Sequence, residues 1–120
     1  QNKIKFVNID IDKFSCNKYD FIISNPPYIN IVDLKRLDLG IKLYEPIIAL
    51  RAGTDGLSEI RKIIRKSKTL LKNNGKLIFE IGNKHIDIIM KLLLENGFYI
   101  NKICKDIQSY PRVVISTKIF

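Results

Sequence analysis

Tryptophan is absent from this 120-residue chain, methionine and histidine occur once each, and cysteine occurs twice. Cys16 and Cys104 form no Cys-x-x-Cys pair or Cys/His group, and His85 stands apart from both, which argues against a metal centre. Cysteines so placed read as reduced, partly buried residues of a cytoplasmic protein, although counting alone leaves a disulfide between them open. No apolar run approaches the roughly 18 residues that a membrane span needs. The opening QNKIKFVNID lacks the basic, apolar and small-residue order of a secretion signal, and it lacks an initial Met, which hints at residues removed ahead of Gln1.

Acidic residues are also few. Lys and Arg number 21 against 12 Asp and Glu, for a net charge of +9. A basic excess can hold nucleic acid by neutralising phosphates. Here the lysines are scattered (Lys3, Lys5, Lys18, Lys35, Lys62, Lys66, Lys72, Lys91) and accompany abundant Ile and Asn, so a solvated surface is the preferred reading and a nucleic-acid partner is disfavoured. With 46% hydrophobic and 28% charged residues the composition is that of an ordinary globular protein, and the length suits one domain.

What is present is a regular order of apolar segments. Residues 4–9, IKFVNI, and 19–24, YDFIIS, read as strands, the second continuous enough to be buried on both faces. Residues 25–57 hold Pro26, Pro27, Gly40, Pro46, Gly53 and Gly56; a loop this long in a compact domain implies a function, and VDLKRLDLGIKLYEP within it suggests a helical turn. From Ser58, the positions Ile60, Ile63, Ile64, Ser67 and Leu70-Leu71 recur at helical spacing, with Ser58 or Asp55 as the start and Asn73-Asn74-Gly75 as the stop. A strand at 76–81, a helix at 85–95 and strands at 98–105 and 113–119 complete the chain. Strands alternating with helices predict an α/β fold: a mostly parallel sheet with helices on its faces and one antiparallel strand at the end. In such sheets the chemistry lies at the carboxyl ends of the strands, where Asn25-Pro26-Pro27-Tyr28 follows residues 19–24.

This stretch has a definite chemical character. Proline has no N–H, so the peptide units at Pro26 and Pro27 offer carbonyl oxygens only, on a stiff backbone. Asn25 adds a side-chain acceptor, and Tyr28 offers a ring face for a planar group. Two acceptors a few ångströms apart suit an NH2 group, orienting its nitrogen and making it more electron-rich towards an electrophile. The residues therefore point to group transfer onto a planar nitrogen, against the plainer reading of a rigid turn that ends a strand.

Five segments in order, FIISNPPYI (21–29), YEPIIAL (44–50), GTDGL (53–57), NGKLIFEIG (74–82) and KDIQSYPRVVIS (105–116), give the whole chain a resemblance to one family. It resembles the C-terminal part of the catalytic domain of the protein-(glutamine-N5) methyltransferases, which use S-adenosylmethionine to methylate the glutamine of the Gly-Gly-Gln motif in peptide chain release factors. The resemblance implies that Asn25 and the Pro26 carbonyl bind the glutamine amide nitrogen, with Asn25 also on the cofactor side. Tyr28 would pack on the amide, Pro27 would hold the loop, and Glu45 would either contact substrate or brace the loop. Asp10, or Ile11 beside it, matches the position that meets the adenine of the cofactor.

Departures from the family pattern carry expectations too. Arg51-Ala52 stand where the family has an acidic residue or Gly, and the family's glycine-rich loop, the acidic residue of its next strand and its N-terminal helical domain have no counterpart. The implied fold is a partial Rossmann-like class I S-adenosylmethionine-dependent methyltransferase, with strand order 3-2-1-4-5-7-6 and strands 1 and 2 missing. Residues 4–9 would then lack neighbours and residues 19–24 would be an open edge, a template for association. The chain is accordingly expected to be a fragment of a longer enzyme that alone binds the cofactor weakly or not at all and self-associates. Alternatives are a methyltransferase acting on a ribosomal-protein glutamine or a nucleic-acid amino group, and a non-catalytic RNA-binding relic. His85 reads as an exposed or capping residue, and the Lys/Arg-rich face of the helix after Ser58 as solvated.

Overall fold

The computed structural model describes residues 3–15, 18–26, 57–82 and 85–119. The apolar runs among them become strand β1 (Tyr19–Ser24), helix α1 (Ser58–Leu70), strand β2 (Leu71–Glu80), helix α2 (Ile86–Glu95), and strands β3 (Phe98–Lys105) and β4 (Pro111–Lys118), preceded by a 3-10 turn at Ile11–Lys13. The strands form one sheet in the order β1-β2-β4-β3. β1 and β2 are parallel, and β4 runs antiparallel to both β2 and β3. The reading of a sheet with one reversed strand holds.

Period-two alternation decides which face each strand buries. Leu77 and Phe79 of β2 lie opposite Ser116 and Val114 of β4, and all four are buried. Leu77, Phe79 and Val114 meet Ile60, Ile63 and Ile64 of α1 and Ile89 and Leu93 of α2 in one cluster with Phe98. Burying each such side chain contributes roughly 1.5–3 kcal/mol. The two helices touch each other and so share this face of the sheet. Expected helices on both faces are thus found, among the described residues, on one. On the other face Phe21, Ile23 and Tyr99 are exposed, so β1 is not buried on both sides as its apolar run suggested.

Residues 4–9 form no strand. Residues 3–10 adopt no regular element and are exposed, Phe6 to 93%. An apolar run becomes a strand only where a ladder partner satisfies its backbone, and this segment pairs with none of the described strands.

Two further boundaries move for local reasons. α1 ends at Leu70, and Leu71 already has extended backbone (φ −85°, ψ 142°) and donates its N–H to Ser67 O. The Asn-Gly pair is therefore not a helix stop but an irregularity inside β2, where the register with β1 jumps from Tyr19↔Leu71 to Phe21↔Lys76. Asn74 takes φ 69°, a conformation Asn tolerates better than most residues. At Gly75 a Cβ would lie 2.8 Å from Lys72 O and 3.2 Å from Asp20 O, so the backbones pass too closely for a side chain. Nor does Ser58 cap α1: the N-cap is Leu57, without a side-chain cap bond, and Asp55 lies outside the described residues.

Several lysines act as struts. At the carboxyl end of α1, Lys18 Nζ donates to Thr69 O at 2.6 Å and Lys118 Nζ to Leu71 O at 2.9 Å, cations placed where the helix presents unpaired carbonyls. Lys118 is buried, and burial, with the nearby Lys18 and Lys68 ammoniums, pushes its pKa down.

Among the described residues one buried side-chain group has no partner: Ser67 Oγ, on the inner face of α1, is fully enclosed and makes no hydrogen bond to any of them. Alanine there removes an unsatisfied hydroxyl and raises intrinsic helix propensity. Ser67→Ala is expected to stabilise the protein by about 1 kcal/mol in urea titrations. A comparable loss would show that the hydroxyl is satisfied after all.

Candidate active site

β1 and β2 are parallel, so their carboxyl ends lie on one edge of the sheet, beside the start of the antiparallel β4. Asn25 and Pro26 emerge there. Pro26 is buried and Asn25 is exposed, and no described residue takes the Asn25 amide. A cavity of about 250 Å³ opens beside them, lined by Ile23, Ser24, Asn25, Ile78, Phe79, Glu80 and Val113. Its walls are mostly apolar, and the lining residues with polar side chains are Ser24, Asn25 and Glu80. Pro27, Tyr28 and Glu45, together with the helical turn proposed in residues 25–57, lie outside the described residues.

The second predicted group sits on the 3-10 turn. Asp10 is its N-cap, with Oδ1 accepting from Asp12 N–H at 2.9 Å. Lys62 Nζ of α1 lies 3.4 Å from Asp10 Oδ1, 3.4 Å from Asp12 Oδ2 and 3.9 Å from Glu59 Oε2. The Asp12 N–H above all, with Lys62 helping against partial desolvation, holds the Asp10 carboxyl below the usual carboxylate range. Burial opposes the charge on Lys62, but the bond to Asp12 and the fields of Glu59, Asp10 and Asp12 prevail and raise its pKa. Ile11 packs against the core cluster, and its N–H has no acceptor among the described residues. Phe14, which ends the turn, stacks on Tyr19 at 5.9 Å between ring centroids.

A groove of about 620 Å³ opens beside the turn. Ile11, Phe14, Phe21, Ile22 and Ile23 line it, and Ile23 also lines the cavity at Asn25. The groove lies along β1, one edge of which has no strand partner among the described residues.

Other singled-out residues have structural parts. Asp106, Tyr110 and Arg112 brace the β3–β4 turn: Asp106 Oδ1 accepts from Gln108 N–H and Tyr110 N–H, and Arg112 Nε donates to Asp106 Oδ2 at 2.8 Å. The Arg112 bond, then that of Tyr110, lowers the Asp106 pKa. The Lys-Asp and Arg-Val of the tail segment are thus explained by the turn itself. His85 is the N-cap residue of α2 and makes no side-chain cap bond. Cys104 is free and partly buried, while Cys16 lies outside the described residues. No group of three His, Cys, Asp or Glu that could hold a metal occurs among the described residues, and none of their helices is long and apolar enough to cross a membrane.

The sequence reading missed Lys62 and Lys66 by assigning their helix face to solvent. Arg65 and Lys68 are exposed as expected, but Lys62 and Lys66 point into contacts with the 3-10 turn. Their i,i+4 spacing, which sets both on one side of α1, was the available signal.

No family model matches the chain. Among curated proteins it is 43% identical over 97 residues to a bifunctional methyltransferase of Rickettsia bellii, covering 81% of this chain and 17% of that protein. It is 35% identical over 118 residues to the release factor glutamine methyltransferase of Thermodesulfovibrio yellowstonii, covering 98% of this chain and 42% of the relative. The solved structure of a release factor-specific protein-(glutamine-N5) methyltransferase from Alicyclobacillus acidocaldarius superposes with a TM-score of 0.52 at 22% identity, over 86% of this chain and 50% of that one. The chain therefore spans well under half the length of the curated relatives it matches. Over most of its length it is homologous to part of the release factor glutamine methyltransferases, and its sheet is part of the class I S-adenosylmethionine-dependent methyltransferase fold.

Proposed function

We propose that this chain is the substrate-receiving part of an enzyme that methylates the N5 nitrogen of the glutamine in the Gly-Gly-Gln motif of peptide chain release factors. The observation that carries the reading is the exposed Asn25, next to buried Pro26, on the carboxyl edge of the parallel strands beside an open cavity. Homology to release factor glutamine methyltransferases supports the substrate class, and it favours a cytoplasmic protein. The Asn25 side-chain oxygen and the Pro26 carbonyl accept the two N–H bonds of the substrate amide. That orients the nitrogen and raises its electron density, and the product sheds its proton after transfer, so no strong base is required. Tyr28 packing on the amide, Pro27 holding the loop and Glu45 bracing it complete the proposed binding set.

The residues present fit the adenine end of S-adenosylmethionine. Asp10 Oδ2 and Ile11 N–H, an adjacent acceptor and donor without described partners, adjoin the groove along β1. Among the described residues nothing is placed to take the methionine end. When bound, the cofactor supplies an electrophilic methyl group, and Asn25 holds the acceptor nitrogen towards it. Transfer of labelled methyl from S-adenosylmethionine to a release factor by the full-length protein tests the reading. Labelling of nucleic acid instead would replace it with an amino-methylating activity on bases.

Among the described residues β1 has one edge without a strand partner, and Phe21 and Ile23 are exposed. Such an edge is a template for a second copy. Sedimentation of this chain is expected to show dimers or larger species that Ile23→Lys dissolves. A monomer that stays monomeric as concentration rises would remove this part of the proposal.

A further inference from the structure

Residues 3–10 join no strand, so no backbone ladder sets the place of Asp10 and Ile11. Helix α1 does so instead. Lys62 bridges Asp10, Asp12 and Glu59, and Lys66 Nζ, one turn further along, donates to the Asp12 carbonyl at 3.3 Å. The Lys62 side chain keeps only 20% of its exposure, so its ion pairs are less screened than those of a fully solvated lysine.

We propose that Lys62 is a positioning residue for the adenine end of the methyl donor, its ammonium fixing the Asp10-Ile11 turn so that a carboxylate acceptor and a backbone donor stand side by side. This rests on the reading of Asp10 and Ile11 as cofactor contacts. Asp10 Oδ1 is committed to Asp12 N–H and to Lys62, which leaves Oδ2 for a ligand. Adenine presents an N6 amino donor next to an N1 acceptor, the complement of that pair. Hypoxanthine reverses both, setting O6 against the carboxylate and N1–H against N–H. Without the Lys62 ammonium, the carboxylates of Asp10 and Asp12 face that of Glu59 with only the more distant charges of Lys13 and Lys66 to offset them, and their repulsion loosens the turn from α1.

The test is binding of S-adenosylhomocysteine and S-inosylhomocysteine to the full-length protein, followed by calorimetric titration, with melting temperatures for every variant. Lys62→Met is expected to weaken the adenine ligand about tenfold and to shrink its preference over the hypoxanthine ligand by a similar factor, with Lys62→Arg restoring most of both. Lys62→Gln gives the same readout if the methionine variant does not fold. A preference that disappears in Asp10→Asn but is intact in both Lys62→Met and Lys62→Gln overturns the positioning role while leaving the cofactor contact standing. If the wild type does not distinguish the two ligands, the cofactor reading fails and the role of Lys62 with it.

Discussion

Alanine at Asn25 lowers the rate of methyl transfer to glutamine by about 10²–10³-fold, the cost of removing one preorganised polar group aimed at the reacting atom. The melting temperature stays where it was, because Asn25 is exposed beyond the last residue of β1 and no described residue takes its amide. The expected signature is a fall in kcat with an unchanged thermal transition. In the proposed binding mode, truncation removes one of two acceptors for the substrate NH2 and leaves the Pro26 carbonyl. The nitrogen can then turn, and its lone pair is no longer aimed. Steady-state assays on a release factor with the full-length protein make the measurement. Undiminished turnover in Asn25→Ala would reduce the stretch to a rigid strand ending and remove the central support for the proposed chemistry.

Phe79→Ala destabilises the fold by about 3–5 kcal/mol, the range for deleting a fully buried aromatic side chain. Phe79 is 1% exposed, faces Ser24 across β1 and Val114 across β4, and belongs to the cluster shared with α1 and α2. Against a total stability of roughly 5–15 kcal/mol such a loss leaves little. The effect also reaches the candidate site. Phe79 lines the cavity at Asn25, and its partner Ser24 is the residue that precedes Asn25. Urea unfolding of the full-length protein, monitored by far-ultraviolet circular dichroism, gives the number. A change below about 1 kcal/mol would mean that this end of the sheet collapses around the gap and that the core is less tightly packed than the burial indicates.

Local chemistry was legible wherever one segment sufficed to express it. The predicted strand FYINKICK matches β3 end to end, and YDFIIS matches β1, because an apolar run and its bounding polar residues are properties of the segment alone. The acceptor character of Asn25-Pro26-Pro27-Tyr28 follows from the absence of proline N–H groups, whatever the fold. Where the reading failed, a distant partner was the cause. Residues 4–9 are as apolar as a strand requires but have no ladder to join. The Asn-Gly pair at 74 and 75 looks like a helix stop, and it became a strand irregularity because β1 passes so close to Gly75. Lys62 and Lys66 belong to a basic helix face, and only the approach of the 3-10 turn makes them ionic anchors.

The sequence by itself thus determined the order of elements, the acceptor-only character of the stretch at Asn25 and the kinship with glutamine methyltransferases, since each is carried by residues adjacent in the chain. Only the tertiary structure decided that residues 4–9 join no strand, that both described helices cover one face, and that α1 holds Asp10 through Lys62. Those outcomes depend on which surfaces and charges meet across dozens of residues of chain. Such meetings are set by the packing of whole elements, which no local pattern encodes.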